Sequence, residues 1–181
     1  MVVTLLYMEA TLIAIPNMTL FAQGVFGMED AQISNLIIFS LIFSVLSAFG
    51  AGRVSDRLGP KRALLATMGV WVVGIMAVTF AWAPWVLYVA APLIFLANGA
   101  TLVVGTVLVI ALSPPVMGFY VTVGMVSAVL GPGIVALLLR MFEGLGTGAY
   151  RIGMSSIAVA MVVGIFLLLR VPDARTSGAG P

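Results

Sequence analysis

The chain has 181 residues, 62% of them hydrophobic and only 8% charged, and a mean hydropathy of +1.25. A water-soluble domain carries about 25% charged residues, so water is excluded as the solvent of this chain. The net charge of +2 is too thin a basic balance for nucleic-acid binding, and zero His and zero Cys leave no disulfide framework, no thiolate or imidazole metal ligand and no axial imidazole for a haem.

Crossing about 30 Å of hydrocarbon takes roughly 20 apolar residues in a helix. Six stretches meet that length and predict an all-α membrane protein. The first, about residues 2–25, has neither a basic leader nor a small-residue cleavage site before the next span, so it reads as a retained helix and not a signal peptide. Glu29 and Asp30 mark the break before the second, about 33–52, where Ser40, Ser44 and Ser47 recur at i, i+4 and i+7 and predict a close-packing seam. A charged run from Gly52 to Arg62 leads into the third, about 62–82. Ala83-Pro84, flanked by Trp82 and Trp85 as interface anchors, precedes the fourth, about 85–112. Ser113-Pro114-Pro115 then introduces the fifth, about 116–139, and the segment from Glu143 to Gly148 introduces the sixth, about 152–170. The tail 171–181 is rich in Gly, Ser and Pro and is expected to be disordered and cytoplasmic.

Lys and Arg are retained on the cytoplasmic side of membranes. Placing the second-to-third loop inside puts Arg53, Arg57, Lys61, Arg62, Arg170 and Arg175 in the cytoplasm and leaves Arg140 and Arg151 outside, a six-to-two bias. Both termini are then cytoplasmic, in a bacterial-type plasma membrane. Two triplets of helices in one chain also run in opposite senses, the arrangement of a 3+3 inverted repeat.

The most distinctive motif is Gly52-Arg53-Val54-Ser55-Asp56-Arg57-Leu58-Gly59-Pro60-Lys61-Arg62. Gly52 would let the end of helix two pack closely, and Gly59 would permit a tight turn. Asp56 can accept hydrogen bonds from a helix N-terminus, and Arg57 and Arg62 can clamp carboxylates across an interface. The simpler alternative is a loop made basic by the positive-inside bias alone. The spacing of Gly52, Asp56, Arg57, Gly59, Lys61 and Arg62 closely resembles the cytoplasmic-loop signature of the major facilitator superfamily. That resemblance implies half of the superfamily fold, with this loop latching the cytoplasmic side of the outward-facing state. Leu6-Tyr7-Met8-Glu9, Asn98-Gly99-Ala100, Gly118-Phe119-Tyr120, Leu130-Gly131-Pro132 and the terminal Leu169-Arg170-Val171-Pro172-Asp173 further resemble the second half of vacuole-effluxer-like permeases. The chain departs from that subgroup at Asn98, Leu102 and Thr106, where the subgroup carries a Gln-rich and Arg-containing stretch, at Met125, where it carries a Lys, and in the short link Pro114-Pro115-Val116-Met117, which replaces a longer charged loop, so polar groups are traded for apolar ones at several places.

Four residues are candidates for a cavity or ion site. Glu9 is the acidic residue placed within the hydrocarbon, where carboxylates usually face a cavity, a partner or a proton path; near the headgroups it would do none of these. Asn17 follows Pro16, whose missing N–H frees a carbonyl and can break the helix at a midplane site or simply kink it. Asn98 and Thr101 share a stripe with Gly105 that either lines a cavity or lets helices approach. Gly124, Gly131 and Pro132 predict a pliable fifth helix suited to gating.

The expected function is a half-size secondary transporter moving a small solute by alternating access, paired with itself or with a second six-helix half. The alternative is a non-transporting subunit of a larger membrane complex built on the same scaffold. An enzyme is disfavoured by the absence of any nucleophile motif, and no cofactor, metal or nucleic acid is expected.

Overall fold

A computed structural model describes residues 2–112 and 117–170; within these, the side chains of residues 2–12, 14, 111, 112, 117, 119, 120, 123 and 129 fall outside the description. Six α-helices occupy nearly all of it: α1 (Val2–Phe26), α2 (Asp30–Leu58), α3 (Pro60–Thr79), α4 (Trp85–Leu112), α5 (Met117–Met141) and α6 (Thr147–Leu169), with one turn of 3₁₀ helix at Glu143–Leu145. Among the described residues, five helices, α2 to α6, contain stretches long and apolar enough to cross a membrane.

The breaks have local causes. Among the described residues, Gly27, Gly59 and Gly146 have positive φ, and each sits between two helices where a side chain would be strained. Glu29 caps α2 reciprocally with Gln32, and Gln23 Nε2 donates to Asp30 Oδ1 at 2.7 Å, which ties the end of α1 to the start of α2. Pro60 occupies the first turn of α3, where its missing N–H costs nothing.

Several boundaries differ from the sequence-based expectation. The second helix reaches Leu58 instead of stopping near 52, so most of the expected loop from Gly52 to Arg62 is helix and only Gly59 turns the chain. Hydropathy ends at Gly52, but backbone hydrogen bonding continues through the polar residues as the helix leaves the hydrocarbon. In the same way α6 begins at Thr147 and not 152, and α1 runs unbroken through Pro16.

Packing gives each helix a defined place. α3 lies against α4 and α6; α1 lies against α5 and α6; α2 lies mainly on α4; α5 and α6 touch, as do α2 and α3, and α1 only brushes α4. The buried centre contains Phe21, Met68, Trp71, Ile94, Phe95 and Met154. Half of α4's most apolar stretch is buried, against 17% for α2 and 18% for α5, which form the two flanks.

Charge is segregated between the two ends of the bundle. Lys61, at the start of α3, donates to the Leu169 carbonyl at the end of α6 (3.3 Å), so Arg53, Arg57, Lys61, Arg62 and Arg170 share one end, with Asp56 as their acidic companion. Glu29, Asp30 and Glu143 lie at the other end, with Arg140 and Arg151.

Candidate functional site

The motif segment crosses from α2 into α3. Gly59 closes α2 with φ 86°, its N–H donating to the Ser55 carbonyl, and is buried. Asp56, Arg57 and Arg62 are exposed, and Lys61 is half-buried against the end of α6. A side chain on Gly52 would meet nothing within 4 Å. The close approach expected there is therefore not made within this bundle.

The candidate cavity residues fall into different seams. Asn17 is buried on α1, and its Nδ2 donates to the Ile13 carbonyl of its own helix at 2.9 Å. Together with Val135 and Leu139 of α5 and Gly153 of α6, it lines a small void of about 10 Å³. Glu9 stands on α1, but its side chain lies outside the described residues.

Asn98 and Thr101 stand on α4, and the glycines show which way they face. A Cβ on Gly74 of α3 would come within 2.6 Å of Ile94 Cγ1, so Ile94 points at α3. A Cβ on Gly99 would clash with the Ser44 carbonyl oxygen and come within 2.6 Å of Ser47 Oγ, so Gly99 faces α2. At about 100° per residue, Asn98 and Thr101 lie within roughly 40° of Ile94, on the α3 side. The antiparallel register sets Trp71 of α3 about level with Asn98. The Asn98 Oδ1, Thr101 Oγ1 and Trp71 Nε1 atoms are all buried without a hydrogen-bond partner among the described residues. Each is a buried polar atom that a hydroxyl, an amide or water could satisfy; left unmade, each such bond costs about 1–3 kcal/mol.

Helix α5 carries the kink candidates. It continues through Pro132, which is exposed, while Gly131 is buried and lines a 200 Å³ cavity with Ile13 of α1 and Ser156 and Ile157 of α6. Gly124 is half-buried.

Two features escaped sequence reasoning. Arg151 donates through Nη1 to the Thr79 carbonyl and through Nη2 to the Ala81 carbonyl at 2.8 Å, and its guanidinium lies 5.9 Å from the Phe21 ring centroid. A single cation thus binds α6 to α1, to the end of α3 and to the α3–α4 turn. Its signal was present: Arg151 runs against the charge bias, and such an exception asks for a local partner. The other is the polar-mouthed cavity beneath the α5–α6 link, lined by Arg140, Glu143 and Tyr150.

No curated protein and no solved structure matches the chain. The sequence model of the Major Facilitator Superfamily matches residues 1–181. The chain therefore belongs to the Major Facilitator Superfamily, as an integral membrane protein built from apolar helices.

Proposed function

We propose that this bundle is one six-helix half of a secondary transporter, moving a small solute by alternating access against a second six-helix bundle, either another copy or a different half. The superfamily match over residues 1–181 carries this reading. Three features of the fold support the pairing. Apart from a slight α4–α5 contact, the packed helix pairs are the same when α1, α2 and α3 are exchanged for α4, α5 and α6, which supports six spans in a 3+3 inverted repeat. The flanks α2 and α5 are the least buried. Gly52 has open space beside it, as a residue kept small for an outside neighbour would.

In this reading the basic end, with Asp56, Arg57, Gly59, Lys61 and Arg62, is cytoplasmic, as are both termini, in a bacterial-type plasma membrane. Glu9 with Asn17, and Asn98 with Thr101, are the groups offered to ion or solute. Pro16, Gly124, Gly131 and Pro132 let α1 and α5 bend. The vacuole-effluxer-like resemblance supports the second-half assignment through Asn98-Gly99-Ala100 and Leu130-Gly131-Pro132.

A second reading, a non-transporting subunit of a larger membrane complex, is favoured by one observation: Asn17 spends its amide donor on its own helix, and Asn98 and Thr101 face α3. Thiol accessibility separates the two. Leu20 of α1 and Leu102 of α4 are exposed, and with zero native Cys each Leu→Cys variant carries a sole thiol. A transporter makes these thiols reactive to a membrane-impermeant maleimide from one side at a time, with the side changing under an imposed ion gradient or added solute. Thiols that stay silent from both sides under every gradient tried would establish the structural subunit instead.

A further inference from the structure

Where α1, α5 and α6 meet, three voids follow one another. The outermost measures about 520 Å³ and is lined by Gly24, Leu139, Arg140, Glu143, Thr147 and Tyr150. Leu139 and Tyr150 also line the 10 Å³ neck beneath it, and Val135 joins that neck to the inner 200 Å³ cavity. Shared walls set these voids in one seam, the crevice, with the narrow neck between the two larger ones. The outer chamber falls within the range of about 300–1,000 Å³ typical of ligand sites. From Arg140 to Gly131, α5 descends about 14 Å at 1.5 Å per residue. That is close to one leaflet, half of the roughly 30 Å hydrocarbon core.

The crevice changes character with depth. Its mouth holds the guanidinium of Arg140 and the carboxylate of Glu143, both exposed, with the Thr147 hydroxyl and the Tyr150 phenol. Among the described residues, Arg140 and Glu143 form no ion pair. The inner part is walled by Ile13, Ile134, Val135 and Ile157, and the hydroxyl of Ser156 already donates to the Gly153 carbonyl at 2.7 Å. Two opposite, unspent charges over an apolar slot match a molecule that carries both signs at its head and a hydrocarbon chain below. An anion alone would meet Glu143; a cation alone would meet Arg140. A water-soluble zwitterion would leave the apolar depth unused.

We propose that this crevice binds a zwitterionic phospholipid with a primary ammonium head, the phosphate on Arg140, the ammonium on Glu143 and an acyl chain along the α1–α5–α6 seam. The waist is set by Leu20, Leu139 and Met154, and the unbranched Met154 side chain can change rotamer to widen it. The site does not depend on whether the protein transports anything.

Native mass spectrometry of the purified chain tests it, using an equimolar mixture of phosphatidylethanolamine, phosphatidylcholine and phosphatidylglycerol with identical acyl chains. Phosphatidylethanolamine should be retained about tenfold over the other two, the ratio that one charge-assisted hydrogen bond supplies. Glu143→Gln should lower the ethanolamine-to-choline ratio several-fold, since the primary ammonium loses the charge assistance of its hydrogen bond while the quaternary head never made one. Arg140→Gln should weaken all three lipids. Ala160 of α6 also lines the inner cavity, and Ala160→Leu should fill it and lower retention while leaving the head-group preference intact; progressively shorter acyl chains on the unmutated protein give the same readout if that variant does not fold. Equal retention of the three lipids, or a preference that Glu143→Gln leaves unchanged, would overturn the proposal. Displacement by soluble phosphoethanolamine together with indifference to Ala160→Leu and to chain length would overturn the lipid and assign the mouth to a small zwitterion.

Discussion

Arg151 is the residue on which the acidic end of the bundle most depends. Its two carbonyl acceptors, at the end of α3 and just past it, and the Phe21 ring of α1 come from two separate parts of the chain, and hydrogen bonds from charged donors contribute about 1.5–3 kcal/mol. Arg151→Gln should lower stability by about 2–3 kcal/mol in a denaturant titration in mixed micelles. Arg151→Lys should recover less than half of that, because an ammonium lacks the planar fork that reaches both carbonyls. Glycines give a matched contrast. Gly99→Ala forces a Cβ into the Ser44 backbone, which cannot rotate away, and should cost about 1–3 kcal/mol. Gly69→Ala on α3 meets nothing within 4 Å and should be neutral or stabilising by up to about 1 kcal/mol. The same titration reads both. If Gly99→Ala were as harmless as Gly69→Ala, α2 and α4 would not be in the contact described.

At the scale of elements, α3 and α6 form an antiparallel pair fastened at both ends by a basic side chain donating to the other helix's C-terminal carbonyls: Lys61 to Leu169, and Arg151 to Thr79. Cations are favoured at helix C-termini, so each contact gains from the dipole it meets. Gly59 holds the turn that brings α3 back, and Gly59→Ala at φ 86° should cost about 1–2 kcal/mol, read as a shift in the same unfolding curve. How legible all this was depends on the kind of signal. The polar pair Glu29-Asp30 and the Ala83-Pro84 break lie within a few residues of the helix starts at Asp30 and Trp85, because backbone conformation is decided locally there. Polarity suggests a loop at the motif, but a helix needs only its own hydrogen bonds, and α2 carries Arg53, Asp56 and Arg57 out past the apolar stretch. The facing of Asn98 and Thr101 and the partners of Arg151 were not legible at all. They are set by the register between helices, and one of those partners is 72 positions away in sequence.

For the whole molecule, the segregation of charge predicts one orientation. Gly144→Cys, in the α5–α6 link, should react with an impermeant maleimide on intact cells, and Arg62→Cys, at the basic end, should react only after permeabilisation. The inverse pattern would reverse the assignment of both ends. The larger claim is that a second six-helix bundle covers the flanks α2 and α5. Phe49 on α2 and Met125 on α5 are 75% and 67% exposed, and Val73 on α3 and Phe166 on α6 are 60% and 65% exposed, so exposure alone does not distinguish flank from back. A thiol-anchored photo-cross-linker at each of these four positions, in membranes, does distinguish them. The account predicts that Phe49→Cys and Met125→Cys capture a second copy of this chain or one other six-helix superfamily half, identified by mass spectrometry, while Val73→Cys and Phe166→Cys label lipid. Capture from the α3 and α6 positions, with none from α2 and α5, would contradict it.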